Sequence, residues 1–332
     1  MSSSLLLEPT HHDLYPFIDP SDQLAGSAKG RSVLITGAGS GIGRAIAEAF
    51  ALAGAERLFL VGRREAGLRE TRERIGGKVG VLGDERVGGL EGKGRERREG
   101  CEVLVVSGVD ISKGEDVEEI FASHFGDFGR DGEDCGFGSG HVVERSEVNL
   151  KGTYLVARRY IRALREYHGS TTATEGHGKT GATVQGRIMN VSSNASWRYV
   201  PGRSSYAASK LAINSLTEYL DGEEGSGVVD STTGRSKNTV IVRSVALHPG
   251  GVDTDLAATL PEDVRKRILI DKPELAAGTC VYLSLPRADF LMGRFVNCTW
   301  DMEELERHRE KVESQDLLKS KVVGMFDTLP AP

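Results

Sequence analysis

The stretch from Arg31 to Ala55, RSVLITGAGSGIGRAIAEAFALAGA, constrains the fold more than any other part of the chain. Arg31 to Thr36 form a short apolar, β-branched run, the pattern of a buried strand. Gly37, Gly41 and Gly43 follow at the spacing T-G-x-x-x-G-x-G, and Ile46, Ala47, Phe50 and Ala51 then recur at helical intervals. A strand that runs through a glycine turn directly into a helix brings backbone N–H groups and the helix N-terminus up to whatever negative group lies there. Thr36, Gly37, Ser40, Gly41, Ile42 and Gly43 are therefore read as a cradle for the pyrophosphate of a dinucleotide. Glycine turns also arise for steric reasons alone, so the reading stands only if the rest of the chain agrees with it.

Downstream residues supply further alternating elements. Arg57 to Val61 reads as a second strand that ends in Gly62, Arg63 and Arg64. An acidic residue there would hold ribose hydroxyls, whereas two arginines suit a 2′-phosphate, so NADP(H) is expected in preference to NAD(H). A helix to Ile75 precedes a polar, glycine-rich stretch over 76–100, expected to be an insertion. Glu102 to Val106 is a third strand leading to Asp110, and a helical period follows. A doubly wound sheet then needs another apolar strand before the helix that Asn149 opens, and none is legible. His141 to Glu144 is the best substitute available. Polar insertions are also expected at 169–186 and 221–238, flanking the strand Arg187 to Ser193 and preceding the strand Thr239 to Leu247. The latter runs into HPGGVDT, where Pro249 and Gly250 break the chain beside the cofactor and Thr254 can bond a carboxamide. Leu256 to Ile270 reads as a small lid helix, Glu274 to Leu285 as another helix and Phe295 to Trp300 as the last strand.

Ser204 to Ser215, SSYAASKLAINS, places Tyr206 and Lys210 four residues apart on one helix face. A cation beside a phenol favours its ionised form, which suits a group that donates and accepts protons near neutrality. A lone Tyr-x-x-x-Lys is far more often an ordinary amphipathic helix. Here Ser193 stands thirteen positions earlier at the end of a strand, so that two hydroxyls can face one substrate oxygen.

The remainder of the chain narrows the function by exclusion. The formal charge of −6 with scattered basic residues implies neither a nucleic-acid patch nor a membrane-surface helix. Cys101, Cys135, Cys280 and Cys298 show no metal-ligand spacing, so no metal is expected and reduced thiols in a cytoplasmic protein are the default. His11 and His12 are adjacent but lack a third ligand nearby. Residues 1–29, with prolines at 9, 16 and 20, read as an extended arm on the surface, lacking the basic start of a secretory signal. Residues 30–332 read as one Rossmann-like doubly wound α/β domain.

Taken together and in this order, TGAGSGIG, Asp110, the Asn149 helix, Ser193, Tyr206-x-x-x-Lys210 and PGGVDT resemble the short-chain dehydrogenase/reductase family over roughly residues 30–300. The resemblance implies that Tyr206 passes a proton, Ser193 orients the substrate oxygen, Lys210 binds the nicotinamide ribose and favours the ionised Tyr206, and Asn149 helps a water relay. It also implies that Asp110 contacts adenine, that Pro249, Gly250, Val252 and Thr254 border the nicotinamide, and that the helices near Asn149 and Ser205 pair in a homodimer or homotetramer. The partner implied is a small-molecule carbonyl or alcohol. The chain departs from the family in lacking its fourth strand and N-N-A-G turn between Asp110 and Asn149. Three readings follow: an active oxidoreductase, a non-catalytic nucleotide-binding or dimer-forming relative, or a translation from which a coding segment has been skipped.

Overall fold

The structure is a computed structural model of the 332-residue chain. It describes residues 10–82, 100–124, 134–138, 147–174, 184–200, 202–225, 240–254, 257 and 261–321. Eight described strands form one parallel sheet: β1 Ser32–Thr36, β2 Arg57–Gly62, β3 Val81–Leu82, β4 Cys101–Ser107, β5 Asp134–Gly138, β6 Val184–Val191, β7 Val240–His248 and β8 Phe295–Asn297, in the order β3-β4-β2-β1-β5-β6-β7-β8. The described helices are α1 Gly41–Leu52, α2 Glu65–Val79, α3 Gly114–His124, α4 Thr153–Thr174, α5 Ser204–Glu224, α6 Glu262–Ile268, α7 Pro273–Leu283, α8 Met302–Arg307 and α9 Arg309–Ser314.

Alternation along two interior strands, β1 and β2, explains why helices cover both faces. Successive side chains of a strand point to opposite sides. Val33 and Ile35 of β1 and Leu58 and Leu60 of β2 join a core with Ile46 and Phe50 of α1 and Leu275 and Val281 of α7. Leu34, Phe59 and Val61 face the other way, into a second core with Val117 and Phe121 of α3 and Tyr160 and Leu164 of α4. A strand buried on both faces reads as a continuous apolar run, which is what SVLIT and LFLV present. The expected doubly wound α/β sheet is thus the architecture observed.

The fourth strand is present, at a different place from the one expected. Asp134–Gly138, DCGFG, lies parallel between β1 and β6, pairing Val33 with Cys135, Leu34 with Gly136 and Ile35 with Phe137 on one side. On the other side it pairs through the run from Asp134 with Gly186 to Gly138 with Asn190. Two glycines in five residues hide it from any hydrophobic pattern. Its place follows instead from its neighbours, because β1 and β6 each offer a row of interior backbone groups that must be paired. His141 to Glu144 lies outside the described residues.

Other boundaries also move. Helix α2 continues through Gly76 to Val79 and is followed by β3, so the first polar stretch begins later than expected; 83–99 is outside the described residues. Helix α4 runs to Thr174 and β6 starts at Val184, while α5 runs to Glu224, which shortens the other two insertions; 175–183 and 226–239 are not described. Of the expected lid, the described helix is Glu262–Ile268, while 255–256 and 258–260 lie outside the described residues. The last strand is only Phe295–Asn297. Within the N-terminal 29 residues, the described part is no surface arm: Ile18, Leu24 and Ala28 are fully buried and join the core beside α1 and α7. Gly278 of α7 shows how close they come, since a Cβ there would stand 2.4 Å from the Ile18 carbonyl oxygen.

A proline at Gly136 provides a test of the central strand, because it removes a donor from a ladder paired on both sides. Gly136→Pro should cost about 1–3 kcal/mol for the buried group left unpaired and lower the midpoint of thermal unfolding by several degrees. Unchanged melting would mean that Asp134–Gly138 does not lie between β1 and β6.

Candidate active site

The glycine turn after β1 opens the cleft. Gly37 and Gly41 have φ of +71° and +52°, a region that L side chains avoid, and a Cβ on Gly43 would stand 2.4 Å from the Gly37 carbonyl oxygen. Glycine at these positions lets α1 begin immediately above the end of β1. The turn's carbonyls are drawn away from the cleft: Thr71 Oγ1 donates to the Ala38 oxygen at 2.8 Å and Arg44 Nη2 to the Gly39 oxygen at 2.7 Å. With these oxygens tied back and the first-turn N–H groups of α1 lacking helical partners, the cradle is set for an anion. Arg44 and Thr71 carry no sequence signal for this task, because each reaches the turn from a helix.

Tyr206 and Lys210 occupy the first turns of α5, as their spacing predicts. Lys210 Nζ lies 5.8 Å from the centre of the Tyr206 ring and donates to the Val191 carbonyl at 2.8 Å, at the end of β6. Its side chain is buried at the edge of the cleft, and burial pushes the ammonium down to about 8. Ser192 Oγ donates to the Lys210 carbonyl at 3.1 Å, tying α5 to the same strand end. Ser193 begins a 3₁₀ turn over Asn194–Ser196, its Oγ accepting the Ala195 N–H at 3.2 Å. Asn214 of α5 donates to Ser196 Oγ at 3.0 Å, which anchors that turn.

Asn149 sits in a six-residue π-helical stretch, Glu147–Gly152, that precedes α4, not in the first turn of an α-helix. Such bulges concentrate at functional sites. Its Nδ2 donates to Ser209 Oγ at 3.1 Å and Ser209 Oγ donates to the Tyr206 carbonyl at 2.8 Å, so Asn149 is linked to the Tyr206 turn through Ser209. Asn149 Oδ1 is buried and has no hydrogen-bond partner among the described residues.

At the other end of the cleft, Arg63 and Arg64 follow β2 and are exposed. Asp110 lies beside them. The Ser112 hydroxyl, then the Ser112 N–H and the Arg63 guanidinium, hold its carboxyl below the usual range. Beyond β7 the Pro249–Thr254 loop closes the site, and the Thr254 methyl lies 3.2 Å from where a Gly41 Cβ would be. His248 also lines the cleft; burial pushes its imidazole down to about 4, so it is neutral at pH 7, and its Nδ1 has no partner among the described residues.

One cleft is lined by Thr36, Gly37, Ser40, Gly41, Ile42, Gly43, Arg63, Arg64, Asp110, Ser193, Tyr206, Lys210, Pro249, Gly250 and Thr254. Residues as far apart in the chain as Thr36 and Thr254 thus share one surface. Asn149 and Val252 do not line it: Asn149 lies behind Tyr206, and Val252 is buried, bridged to Asp271. Ser192, Ser209 and His248 are additions that only the fold reveals, although HPGG and SS stand beside the motifs in sequence. Among the described residues no group of three or more His, Cys, Asp or Glu could hold a metal, and no helix is long and apolar enough to cross a membrane.

The residues present fit a bound dinucleotide, with a glycine cradle at the centre, cations at one end and hydroxyls at the other. The family model described as short chain dehydrogenase matches residues 31–84 and 141–265, and the interruption contains the strand that escaped recognition. The chain is 32% identical over 335 aligned positions to the short chain dehydrogenase mpl6 of Monascus purpureus, covering 96% of each. It is 28% identical to the short chain dehydrogenase pigC of Monascus ruber, over 94% of this chain and 92% of that one. Among solved structures, the short chain dehydrogenase of Shigella flexneri superposes with a TM-score of 0.57 at 17% identity, over 82% of this chain and 92% of that one. A second Shigella flexneri structure so described, complexed with NADP, gives 0.57 at 17% identity over 81% and 97%. On the family match and the full-length likeness, the chain belongs to the short chain dehydrogenase family.

Proposed function

We propose that the chain transfers hydride between NADP(H) and a carbonyl or secondary alcohol of a small molecule. The observation that carries this reading is the convergence of Ser193, Tyr206 and Lys210 with the glycine cradle on one cleft whose far end carries Arg63 and Arg64. The dinucleotide, when bound, supplies or accepts the hydride. In the reducing direction Tyr206 donates its hydroxyl proton to the oxygen of the substrate, and the Ser193 hydroxyl donates a hydrogen bond to the same oxygen as negative charge develops there. Lys210 keeps a cation beside Tyr206 and offers its ammonium to the nicotinamide ribose. Asn149 supports the Tyr206 turn through Ser209, with its unpartnered Oδ1 free for a water in a proton relay. Asp110 faces adenine and Arg63 and Arg64 face the 2′-phosphate, while Thr254 bonds the carboxamide.

The same reading takes the exposed Tyr154, Leu211 and Tyr219, on α4 and α5, as the contact face of a homodimer or homotetramer. A reducing compartment such as the cytoplasm suits the buried Cys101, Cys280 and Cys298, which are thiols rather than disulfides.

Three measurements bear on this assignment. Tyr206→Phe should reduce turnover about 10²-fold or more while NADPH binding stays nearly intact, since only a hydroxyl is removed; turnover within about threefold of wild type would remove Tyr206 from the role. Replacing Arg63 and Arg64 by alanine should weaken NADPH about 10- to 150-fold, the worth of charge-assisted bonds to the 2′-phosphate, and leave NADH little changed. Equal losses for both cofactors would show that these arginines do not read the phosphate. Lys210 links function to stability. Its pKa falls on folding from 10.5 to about 8, so between those values the unfolded chain binds more protons and stability rises with pH. Below about pH 8 the cofactor-free protein bears the full cost of a buried ammonium. Lys210→Met should therefore lose activity, and its stability relative to wild type should be greatest below pH 8 and decline toward pH 10.5. A pH-independent difference in denaturant unfolding would contradict the buried charge.

A further inference from the structure

The loop that closes the cleft is held from behind by a residue far from any motif. Asp271, buried at the end of the segment after α6, accepts the Gly251 N–H on Oδ2 at 2.5 Å, and its own N–H donates to the Gly251 carbonyl at 3.0 Å. Gly250, which lines the cleft, has φ of +94°, and a Cβ there would lie 2.6 Å from Asp271 Oδ2. The carboxylate therefore fills the space that a side chain at 250 would take. Its other oxygen, Oδ1, stands 2.5 Å from His12 Nδ1. The His12 carbonyl in turn accepts the Lys272 N–H at 2.8 Å. A buried carboxylate needs partners for both oxygens, and here one is a backbone group of the cofactor loop and the other a side chain of the N-terminal segment.

We propose that Asp271 is a positioning residue for the nicotinamide end of the cofactor, and that His12 fixes Asp271, making the N-terminal segment part of the cofactor site. The inference rests on the reading of the cleft as a dinucleotide site. Pro249, Gly250 and Thr254 can border a nicotinamide only if the Gly250–Gly251 turn keeps its conformation. The Asp271 carboxylate supplies both the hydrogen bond and the packing that define that turn. Behind Asp271, His12 holds the carboxylate toward the loop. The backbone of Ile268 also packs against the turn, its carbonyl oxygen lying where a Gly251 Cβ would be.

The test compares whole cofactor with its adenosine end. NADPH, NADH and adenosine 2′,5′-bisphosphate are titrated against the wild-type full chain and against Asp271→Ala, Asp271→Asn and His12→Ala. Asp271→Ala should weaken NADPH and NADH alike by about tenfold or more, while the adenosine fragment, which does not reach the loop, binds within about twofold of wild type. Asp271→Asn, which keeps an acceptor for the Gly251 N–H, should restore most of the loss. His12→Ala should weaken both dinucleotides about threefold, since its exposed side chain acts only through Asp271. Unchanged NADPH affinity in Asp271→Ala overturns the proposal, as does an equal loss for the fragment, which would mark a general loss of structure. If Asp271→Ala does not fold, His12→Ala decides alone, and its NADPH affinity equal to wild type overturns the proposal. Failure of the wild type to bind either dinucleotide overturns the dinucleotide reading and this one together, whereas wild-type binding with indifferent variants overturns only this one.

Discussion

Everything at the site depends on β1 being paired on both sides. Its five residues pair with β2 on one flank and Val33 to Ile35 pair with β5 on the other, and both faces are covered by core. A strand so enclosed has no freedom to shift register, because a slip of one residue would exchange its two faces and bring Leu34 into the core that Val33 and Ile35 occupy. The glycine turn at its end is thereby held in place, and α1 starts where the first N–H groups of the helix meet the cleft. The sheet also changes direction of winding here, with β2 and β4 to one side and β5, β6 and β7 to the other. Open α/β sheets bind their ligands at such a point, beyond the carboxyl ends of the strands.

Around that anchor, the cleft is built by side chains that point at backbone. Thr71 and Arg44 hold the glycine turn, Lys210 bonds the end of β6, Ser192 bonds the backbone of α5, Ser209 bonds the turn at Tyr206, and Asp271 bonds the turn at Gly251. Loops at the end of a sheet have few neighbours of their own. Tying their carbonyls and N–H groups to helices gives them the rigidity that positions a reacting group. The cost is visible in Lys210, whose ammonium is buried and correspondingly easier to deprotonate.

The weakest strand by composition sits between two of the strongest. DCGFG has neither a run of β-branched residues nor an alternating pattern, and on its own would be read as a turn. The non-catalytic reading of the chain drew its force from an empty place between β1 and β6, and β5 occupies that place. Propensity matters least where two partners already present complete rows of donors and acceptors, because any backbone that can extend there gains ladder bonds on both edges.

The strand-turn-helix unit, the order of elements and most of the residues that line the cleft were legible in the chain, because each rests on local chemistry: glycine where φ is positive, apolar runs where strands are buried, and Tyr206 and Lys210 at helical spacing. Those features are properties of a few adjacent residues, and no distant contact is needed to recognise them. Other features were decided only by tertiary structure. The strand at Asp134–Gly138 is set by β1 and β6. The N-terminal segment is buried because Ile18, Leu24 and Ala28 find α1 and α7, although its prolines suggest an exposed arm. Asn149 reaches the Tyr206 turn through Ser209, sixty positions away in the chain. Asp271 and His12 meet across 259 positions to hold a loop that neither adjoins in sequence. Such pairings depend on where the folded chain brings its backbone, and a buried carboxylate or an unpaired strand edge finds its partner by proximity in space, which residue type and spacing alone do not encode.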